Sequence, residues 1–263
     1  MDRDPQWRFL AACKKCDTDE VRHCLDGEYG SLSANEEIQT HQGFLTPLTC
    51  ACYESSYDSD TRVSSEHRLA TVTLLLDRGA DVNKLSSHGG LGSPLHAACD
   101  SCRVNIELLR LLLTRGADVD LVGHGKRTPL LELCSKLDTT LPAETKLLLD
   151  HGADPNRMWG NGSVLHEAAF TWAPGRLRVG QLSVVRLLLE YGADVNYGWR
   201  LSHDSVSCQP HSTPLERAED PQIKKLFRKY LTILVRKHVI GPPAEHPSRR
   251  IEHQAPLIAS FLV

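Results

Sequence analysis

The sequence predicts an all-α fold, a solenoid of about six stacked helix-turn-helix repeats, and two recurring stretches carry that prediction. The first is leucine-rich and ends in glycine, as in LLLDRGADVN from Leu74 to Asn83. It recurs as LLLTRGADVD, LLLDHGADPN and LLLEYGADVN, with glycines at positions 79, 116, 152 and 192. Spacings of 37, 36 and 40 residues are typical of chains in which each unit packs on the next.

The second stretch opens each unit with Ser or Thr, in most copies followed by Pro and Leu. Its copies begin at Thr46, Ser93, Thr128, Ser163 and Thr213. Ser and Thr are good N-caps and Pro suits the first helical position, so each copy predicts the start of a helix. The three leucines predict the buried stripe of a second helix, and the glycine predicts its end, where left-handed backbone is common.

Together the two motifs resemble the ankyrin repeat, whose Thr-Pro-Leu-His start and helix-turn-helix period of roughly 33 residues are similar. The resemblance implies one ankyrin-repeat domain over residues 1–240, with an atypical capping repeat at each end. The repeats are expected at approximately 5–42, 43–90, 91–126, 127–162, 163–212 and 213–240. Residues 241–263 are expected to form a flexible tail, because prolines and weak patterning disfavour a packed element.

The two terminal units depart from the pattern. The first starts near Trp7 and lacks the Thr-Pro entry, and in the last Pro221 separates a short helix from a long one over 222–240. The long helix is apolar on one side and basic on the other, which predicts a C-terminal cap. A basic amphipathic segment that binds calmodulin or an acidic surface is the alternative.

Three insertions interrupt the units, at 54–66, 172–181 and 197–212, and we expect all three to be exposed. Composition excludes several other classes of protein. A formal net charge of −3 gives no reason to expect a nucleic-acid partner, and no apolar run reaches the roughly 18 residues of a membrane span. Nine cysteines without an export signal predict reduced thiols, a cytoplasmic or nuclear location and, with no sign of an oligomer, a monomer.

Two Cys-x-x-Cys pairs, Cys13 with Cys16 and Cys99 with Cys102, have the spacing of zinc half-sites. Alignment of the repeats gives a different interpretation, because four cysteines share one position of the first helix, where the fifth repeat has Ala169. These are Cys13, Cys52, Cys99 and Cys134. Cys16 and Cys102 share a second position. Positions of this kind suit small buried side chains, so we expect no metal site and no cofactor.

Catalytic motifs are missing from the sequence. It contains no G-x-S-x-G, no H-E-x-x-H and no phosphate-binding P-loop. His96 and His166 share the fourth position of the helix-opening motif, where the ankyrin resemblance implies a hydrogen-bonding spacer between neighbouring units. The chain is therefore not expected to be an enzyme, and a hydrolase that uses a cysteine is the disfavoured alternative.

Large aromatic side chains and arginine gather in the loops around the fifth unit. The predicted protein-binding residues are Met158, Trp159, Trp172, Tyr197, Trp199 and Arg200. Three of the four tryptophans of the chain are among them, and Trp and Arg are typical of interface hot spots. The alternative is that the rings only cover the base of their own loop.

The favoured function is a non-enzymatic scaffold or adaptor, because the resemblance implies a protein partner bound through loop tips and the concave face. The partner cannot be named from the sequence. The alternative is the substrate-recognition subunit of a ubiquitin ligase, of the family that joins ankyrin repeats to a SOCS box. That box needs a Leu-x-x-x-Cys helix for elongins, and no cysteine follows Cys208. The three matches to Leu-x-x-x-Cys lie in repeat first helices.

The resemblance also implies a modification. In ankyrin repeats the asparagine of a Leu-x5-Asp-Val-Asn stretch resembles a substrate of an asparaginyl hydroxylase. The best matches end at Asn83 and Asn196, whereas Asn156 follows Pro155 and departs from the pattern. The alternative is that each asparagine is a turn residue and nothing more.

Overall fold

The fold was analysed in a computed structural model. It describes residues 4–27, 32–40, 43–54, 63–87, 91–136, 141–159, 162–170, 177, 179–195 and 213–240. The insertion at 197–212 and the tail at 241–263 lie outside the described residues. The insertions at 54–66 and 172–181 lie partly outside them.

Helices pair along the chain and stack in two layers. The first helices of the units are α1 (Pro5–Lys15), α3 (Pro47–Cys52), α5 (Pro94–Asp100), α7 (Pro129–Cys134), α9 (Val164–Ala169) and α11 (Pro214–Arg217). The second helices are α2 (Thr18–Asp26), α4 (Ser65–Asp77), α6 (Ile106–Thr114), α8 (Pro142–Asp150), α10 (Gln181–Glu190) and α12 (Pro221–Ile240). Each first helix contacts the next first helix, and each second helix the next second helix. The predicted all-α stack is confirmed.

Short β-hairpins, which the sequence analysis did not predict, precede two of the first helices. Strands β1 (Ile38–Thr40) and β2 (Gly43–Leu45) pair antiparallel before α3. Strands β3 (Met158–Trp159) and β4 (Gly162–Ser163) pair antiparallel before α9. Each hairpin therefore extends from the amino-terminal end of a first helix.

The helix-opening and helix-ending residues behave as predicted. The hydroxyl of Thr46 accepts a hydrogen bond from Thr49 N at 3.1 Å, and Ser93 and Thr128 cap their helices in the same way. The central leucine of each stripe, such as Leu112, is fully buried. The glycines after the stripes have φ between +82° and +91°, which few residues other than glycine adopt without strain.

Both ends of the stack begin their helices differently from the prediction. Helix α1 starts at Pro5, one turn before the predicted start near Trp7, and Asp4 caps it by accepting from Gln6 N at 3.0 Å. An Asp-Pro pair thus replaces the Thr-Pro entry that was expected to be missing. Helix α12 includes Pro221 at its first position, with Asp220 as the cap. Asp is as good an N-cap as Ser or Thr, which explains both starts.

Two buried polar side chains join the helices of the units that carry inter-helix insertions. Arg68 of α4 donates to the carbonyls of Ala51 at 2.9 Å and Tyr53 at 3.3 Å, where α3 ends. Gln181 of α10 occupies the equivalent position and donates to two carbonyls at the end of α9, at 2.8 and 2.9 Å. Both side chains satisfy carbonyl groups that a helix end leaves without an intrahelical partner.

Candidate functional site

The hairpin β3–β4 carries the first two of the predicted binding residues. Met158 pairs with Ser163 and Trp159 with Gly162, and Ser163 leads directly into α9. The Met158 side chain is half-buried. The other predicted residues lie outside the described residues: Trp172, Tyr197, Trp199 and Arg200. The structure therefore fixes the backbone of one part of the predicted face, and the face as a whole stays a prediction.

The loop before α7 occupies the place that the hairpins occupy elsewhere. Gly123 N donates to the Arg127 carbonyl at 2.8 Å, which closes the loop around a 3-10 turn over His124–Lys126. Gly123 lies directly on the His96 ring, and a Cβ at this residue would come within 2.8 Å of Nε2. Successive loop tips thus lie side by side at the amino-terminal edge of the first helices.

His96 connects its own unit to the next loop. Its Nδ1 accepts from Ser93 N at 3.3 Å, and its Nε2 lies 3.0 Å from the Arg127 carbonyl, so Nε2 carries the proton. Burial is the main cause that lowers the pKa of His96. His166 accepts from Ser163 N at 3.0 Å in the same arrangement. Both contacts fit the spacer role that the sequence predicts, because the ring nitrogens are used within the stack.

Asparagine side chains link successive loops on the other side of the units. Each donates from Nδ2 to a glycine carbonyl of the next unit and accepts at Oδ1 from a backbone N–H two residues further on. The donor pairs are Asn35 to Gly79 at 2.8 Å, Asn83 to Gly116 at 3.0 Å and Asn156 to Gly192 at 2.9 Å. The matching acceptor distances are 2.6, 2.7 and 2.8 Å. We call this series the loop ladder.

Asp120 occupies the ladder position between Asn83 and Asn156. Its carboxylate oxygens accept from Asp154 N at 3.0 and 3.1 Å, but an ionised carboxylate has no proton to donate to the next glycine carbonyl. Burial raises the pKa of Asp120. Asn83, one of the two predicted modification sites, is thus a member of the ladder, whereas Asn196 lies outside the described residues.

A group of charged side chains lies on the layer of first helices. Arg127 Nε is 2.9 Å from Glu132 Oε1, and Lys136 Nζ donates to the Ser101 carbonyl at 2.6 Å. Burial raises the pKa of Glu132 and of Asp100 and lowers that of Lys136. These partly desolvated charges of both signs are suited to polar contacts with another protein, because charge complementarity sets specificity and register.

The cysteines have the character of packing residues, with one exception. Those of the shared first-helix position are almost wholly buried: Cys13, Cys52, Cys99 and Cys134. Burial raises the pKa of Cys16 to about 11, so this thiol stays protonated at neutral pH and is a poor nucleophile. The prediction that Cys102 is buried is wrong: it is exposed, because α5 ends at Asp100 whereas α1 continues to Lys15 and packs Cys16 inward.

Metal sites and membrane spans were sought in the same coordinates. Within the described ranges, no group of three or more His, Cys, Asp or Glu side chains is arranged to hold a metal ion. None of the helices that the structure describes combines the length and apolar character needed to cross a bilayer.

Comparison with known proteins adds independent evidence. The family described as ankyrin repeats (3 copies) matches residues 95–198. The human protein called ankyrin repeat and SOCS box protein 6 is 29% identical over 224 residues, which cover 75% of this chain and 50% of that protein. Mouse ankyrin repeat and SOCS box protein 16 is 29% identical over 177 residues, covering 58% and 36% of the two chains.

A third relative has a different domain composition. An ankyrin repeat and KH domain-containing protein of Caenorhabditis briggsae is 30% identical over 145 residues, or 55% of this chain and 5% of that protein. The chain spans about half the length of the first relatives that it matches. Ankyrin repeats are the feature common to all three names and to the matching family. The recurring motifs, the two-layer stack and these matches together show that the chain belongs to the ankyrin-repeat proteins.

Proposed function

We propose that the chain is a non-enzymatic scaffold or adaptor that binds a protein partner through its loop tips and its layer of first helices. Ankyrin repeats are generally interaction modules without catalytic activity. The observation that carries the proposal is the row of loop tips, in which the β3–β4 hairpin holds Met158 and Trp159 at the amino-terminal edge of α9. The buried, protonated thiols support the absence of cysteine chemistry.

The proposed binding residues remain those that the sequence singles out: Met158, Trp159, Trp172, Tyr197, Trp199 and Arg200. In a solenoid, corresponding tips of neighbouring repeats line up into one surface. Aromatic side chains there would provide the anchors of the interface, and the charges around Glu132 and Lys136 would provide polar contacts beside them.

The test compares two tryptophan variants with the unmodified chain. Partners are first identified by proximity labelling with the full chain, and each purified candidate is then titrated. Trp159→Ala and Trp199→Ala should each weaken binding by about 2 kcal/mol or more while the melting temperature stays nearly unchanged. Unchanged binding by both variants would mean that the face is misassigned. Early melting of both would identify the rings as core residues.

A second candidate function is substrate recognition in a ubiquitin ligase. The supporting observation is that two relatives at 29% identity are named ankyrin repeat and SOCS box proteins. The sequence lacks the expected cysteine after Cys208, so this function would require a divergent box or a longer chain. Co-purification with elongins would support this function. If purified elongins do not bind the full chain at micromolar concentration, the ligase role is rejected.

We also propose hydroxylation of Asn83 and Asn196 by an asparaginyl hydroxylase, as the family resemblance implies. Asn83 is held in the loop ladder through both amide atoms, so its loop would have to open before an enzyme could act. Mass spectrometry after co-expression with the hydroxylase should show a mass increase of one oxygen at either residue. Unmodified peptides at full coverage would reject the proposal.

A further inference from the structure

The last helix, α12, covers the end of the stack with one face only. Ile223, Phe227 and Leu231, spaced four residues apart, are 0%, 0% and 7% exposed. The helix contacts α10, the second helix of the preceding unit. One stripe of α12 is therefore part of the core, and the opposite side is available to solvent.

That opposite side is basic. Lys225, Arg228 and Lys229 are exposed, and the sequence of α12 contains no Asp or Glu. Within the described residues, none of the three forms an ion pair. Three cations thus lie within two turns without a carboxylate to neutralise them.

Other second helices treat their exposed cations differently. Arg22 pairs with Asp19 at 2.8 Å on α2, and Arg110 approaches Glu107 at 3.6 Å on α6. On α8, Lys146 Nζ is 2.6 Å from a carboxylate oxygen of Asp150. Each of these cations has an acidic residue one turn away on its own helix. The unneutralised charge of α12 is a local feature, since the chain as a whole carries −3.

An apolar side chain continues the same stripe. Ile233 is 41% exposed and follows Lys229 by four residues, as Lys229 follows Lys225, so the three lie on one side of the helix. We propose that this basic face (Lys225, Arg228, Lys229 and Ile233) is a docking surface for an acidic protein segment that carries an apolar side chain. The acidic groups would neutralise the cations, and the apolar group would cover Ile233.

The arrangement favours a protein segment over an anionic membrane. A helix that binds a bilayer buries a broad apolar face, whereas the apolar stripe of α12 is already in the core. Opposite charges attract only over about 10 Å in physiological salt, so a narrow segment is drawn to the local cations. A bilayer also faces the net negative remainder of the chain.

The inference goes beyond the proposed function, because it concerns a different surface. The β3–β4 hairpin precedes α9, whereas the basic face belongs to the last helix of the stack. A variant that loses binding at one of these surfaces should keep binding at the other, so the two proposals can fail separately.

The experiment is a fluorescence anisotropy titration of the full chain with a labelled peptide of about twelve residues, mostly glutamate, with one leucine. The triple variant Lys225→Gln, Arg228→Gln, Lys229→Gln should weaken peptide binding by about tenfold or more. Ile233→Ser should weaken it by about threefold and leave its salt dependence unchanged, because only apolar contact is lost. Thermal melting of each variant checks that the fold is intact.

The matched control removes three exposed cations at other places in the described structure. Its substitutions are Lys15→Gln, Lys126→Gln and Arg186→Gln. The control should bind the peptide within about twofold of the unmodified chain, although its net charge equals that of the triple variant. Equal loss in the two triples would overturn the proposal, since attraction would then follow net charge alone. Binding to phosphatidylserine vesicles but not to the peptide would also overturn it.

Discussion

Two neighbouring junctions of the loop ladder differ in a way that identifies what joins one repeat to the next. After α4, Asn83 both donates to the Gly116 carbonyl and accepts from Asp118 N. After α6, Asp120 only accepts, from Asp154 N. The backbone at the two junctions follows the same course, so one side-chain atom accounts for the difference.

A second contact is missing at the same junction. Arg115, just past α6, pairs with Asp77 at the end of α4 at 2.9 Å, and this ion pair crosses from one unit to the next. At the following junction the corresponding residues are His151 and Thr114. Each of them bonds within its own helix, to the carbonyls of Leu147 and Arg110.

What remains across the weaker junction is mainly the contact of His96 with the Arg127 carbonyl and that of Lys136 with the Ser101 carbonyl. Coupling between repeats is therefore set by single residues at fixed positions, and it varies along one stack. Because the stability of a repeat protein is a sum of unit and junction terms, changes at these positions should have separate, measurable effects.

The largest expected effect comes from cutting the ladder where it is complete. Asn83→Ala removes one donor and one acceptor and leaves the Gly116 carbonyl and Asp118 N without their partner. The free energy of unfolding in urea should fall by about 2 kcal/mol. Asn83→Asp should lose about half as much, because it restores only the acceptor that Asp120 has. A loss below about 0.5 kcal/mol for both variants would show that the ladder does not stabilise the stack.

Acidification should weaken the junction that depends on His96. Burial holds the pKa of His96 below its value of 6.5 in the unfolded chain, so the unfolded state binds more protons as the pH falls through that value. The free energy of unfolding should therefore decrease below about pH 7, by at most about 1.4 kcal/mol per pH unit. The decrease should stop below the folded-state pKa.

The control for this prediction is His96→Thr, which copies Thr49 of the second repeat. Thr49 Oγ1 lies 2.8 Å from Thr46 Oγ1, so a threonine can bond its cap at this position. The variant should be less stable at pH 7.5 but should change less between pH 7.5 and 5.5. Parallel pH profiles for the two proteins would assign the acid sensitivity to other groups.

Completing the ladder should stabilise the chain. Asp120→Asn adds a donor for the Gly152 carbonyl and keeps the acceptor for Asp154 N, so we expect a gain of about 1 kcal/mol at pH 7. The matched control, Asp118→Asn, makes the same change of charge and keeps the acceptor for Asp120 N, but lies outside the ladder position. Equal gains in both variants would indicate a charge effect rather than a new hydrogen bond.

The smallest expected effect concerns the core of the unit beyond the weaker junction. Thr145 is 1% exposed, its hydroxyl has no hydrogen-bond partner among the described residues, and Val72 and Val185 occupy the equivalent positions. Thr145→Val keeps the shape and removes a buried polar group without a partner, so unfolding should cost about 0.5 to 1 kcal/mol more. Thr71→Val tests the opposite case, because the Thr71 hydroxyl is bonded to Thr18. No gain from Thr145→Val would mean that the hydroxyl is satisfied in solution.

The sequence predicted the features that repeat. The leucine stripes, the glycines that end the helices and the Ser and Thr caps recur at fixed spacing, so each copy supports the others. Single occurrences were missed. Asn35 belongs to the loop ladder, but no Gly-Ala-Asp stretch precedes it, and its role appears only through its contact with Gly79.

Residues whose surroundings depend on helix length were also mispredicted. Cys16 and Cys102 align in sequence, but the longer α1 buries the first and the earlier end of α5 exposes the second. The predicted binding face depends on loops that do not repeat. No pattern in the sequence places Trp172 or Trp199 in space, because the conformation of a unique loop follows from its own contacts rather than from a recurring motif.

Arg68 and Gln181 have a consequence for how this chain tolerates added sequence. Both fasten the second helix to the end of the first directly beside an insertion, so the packing of the pair does not depend on the length of the intervening segment. A longer segment then adds only the closure entropy of a larger loop, about 0.6 kcal/mol for each doubling of length. Residues 55–62 and 171–176 are accordingly the places where a peptide epitope or a small foreign domain can be grafted with the least redesign of the scaffold.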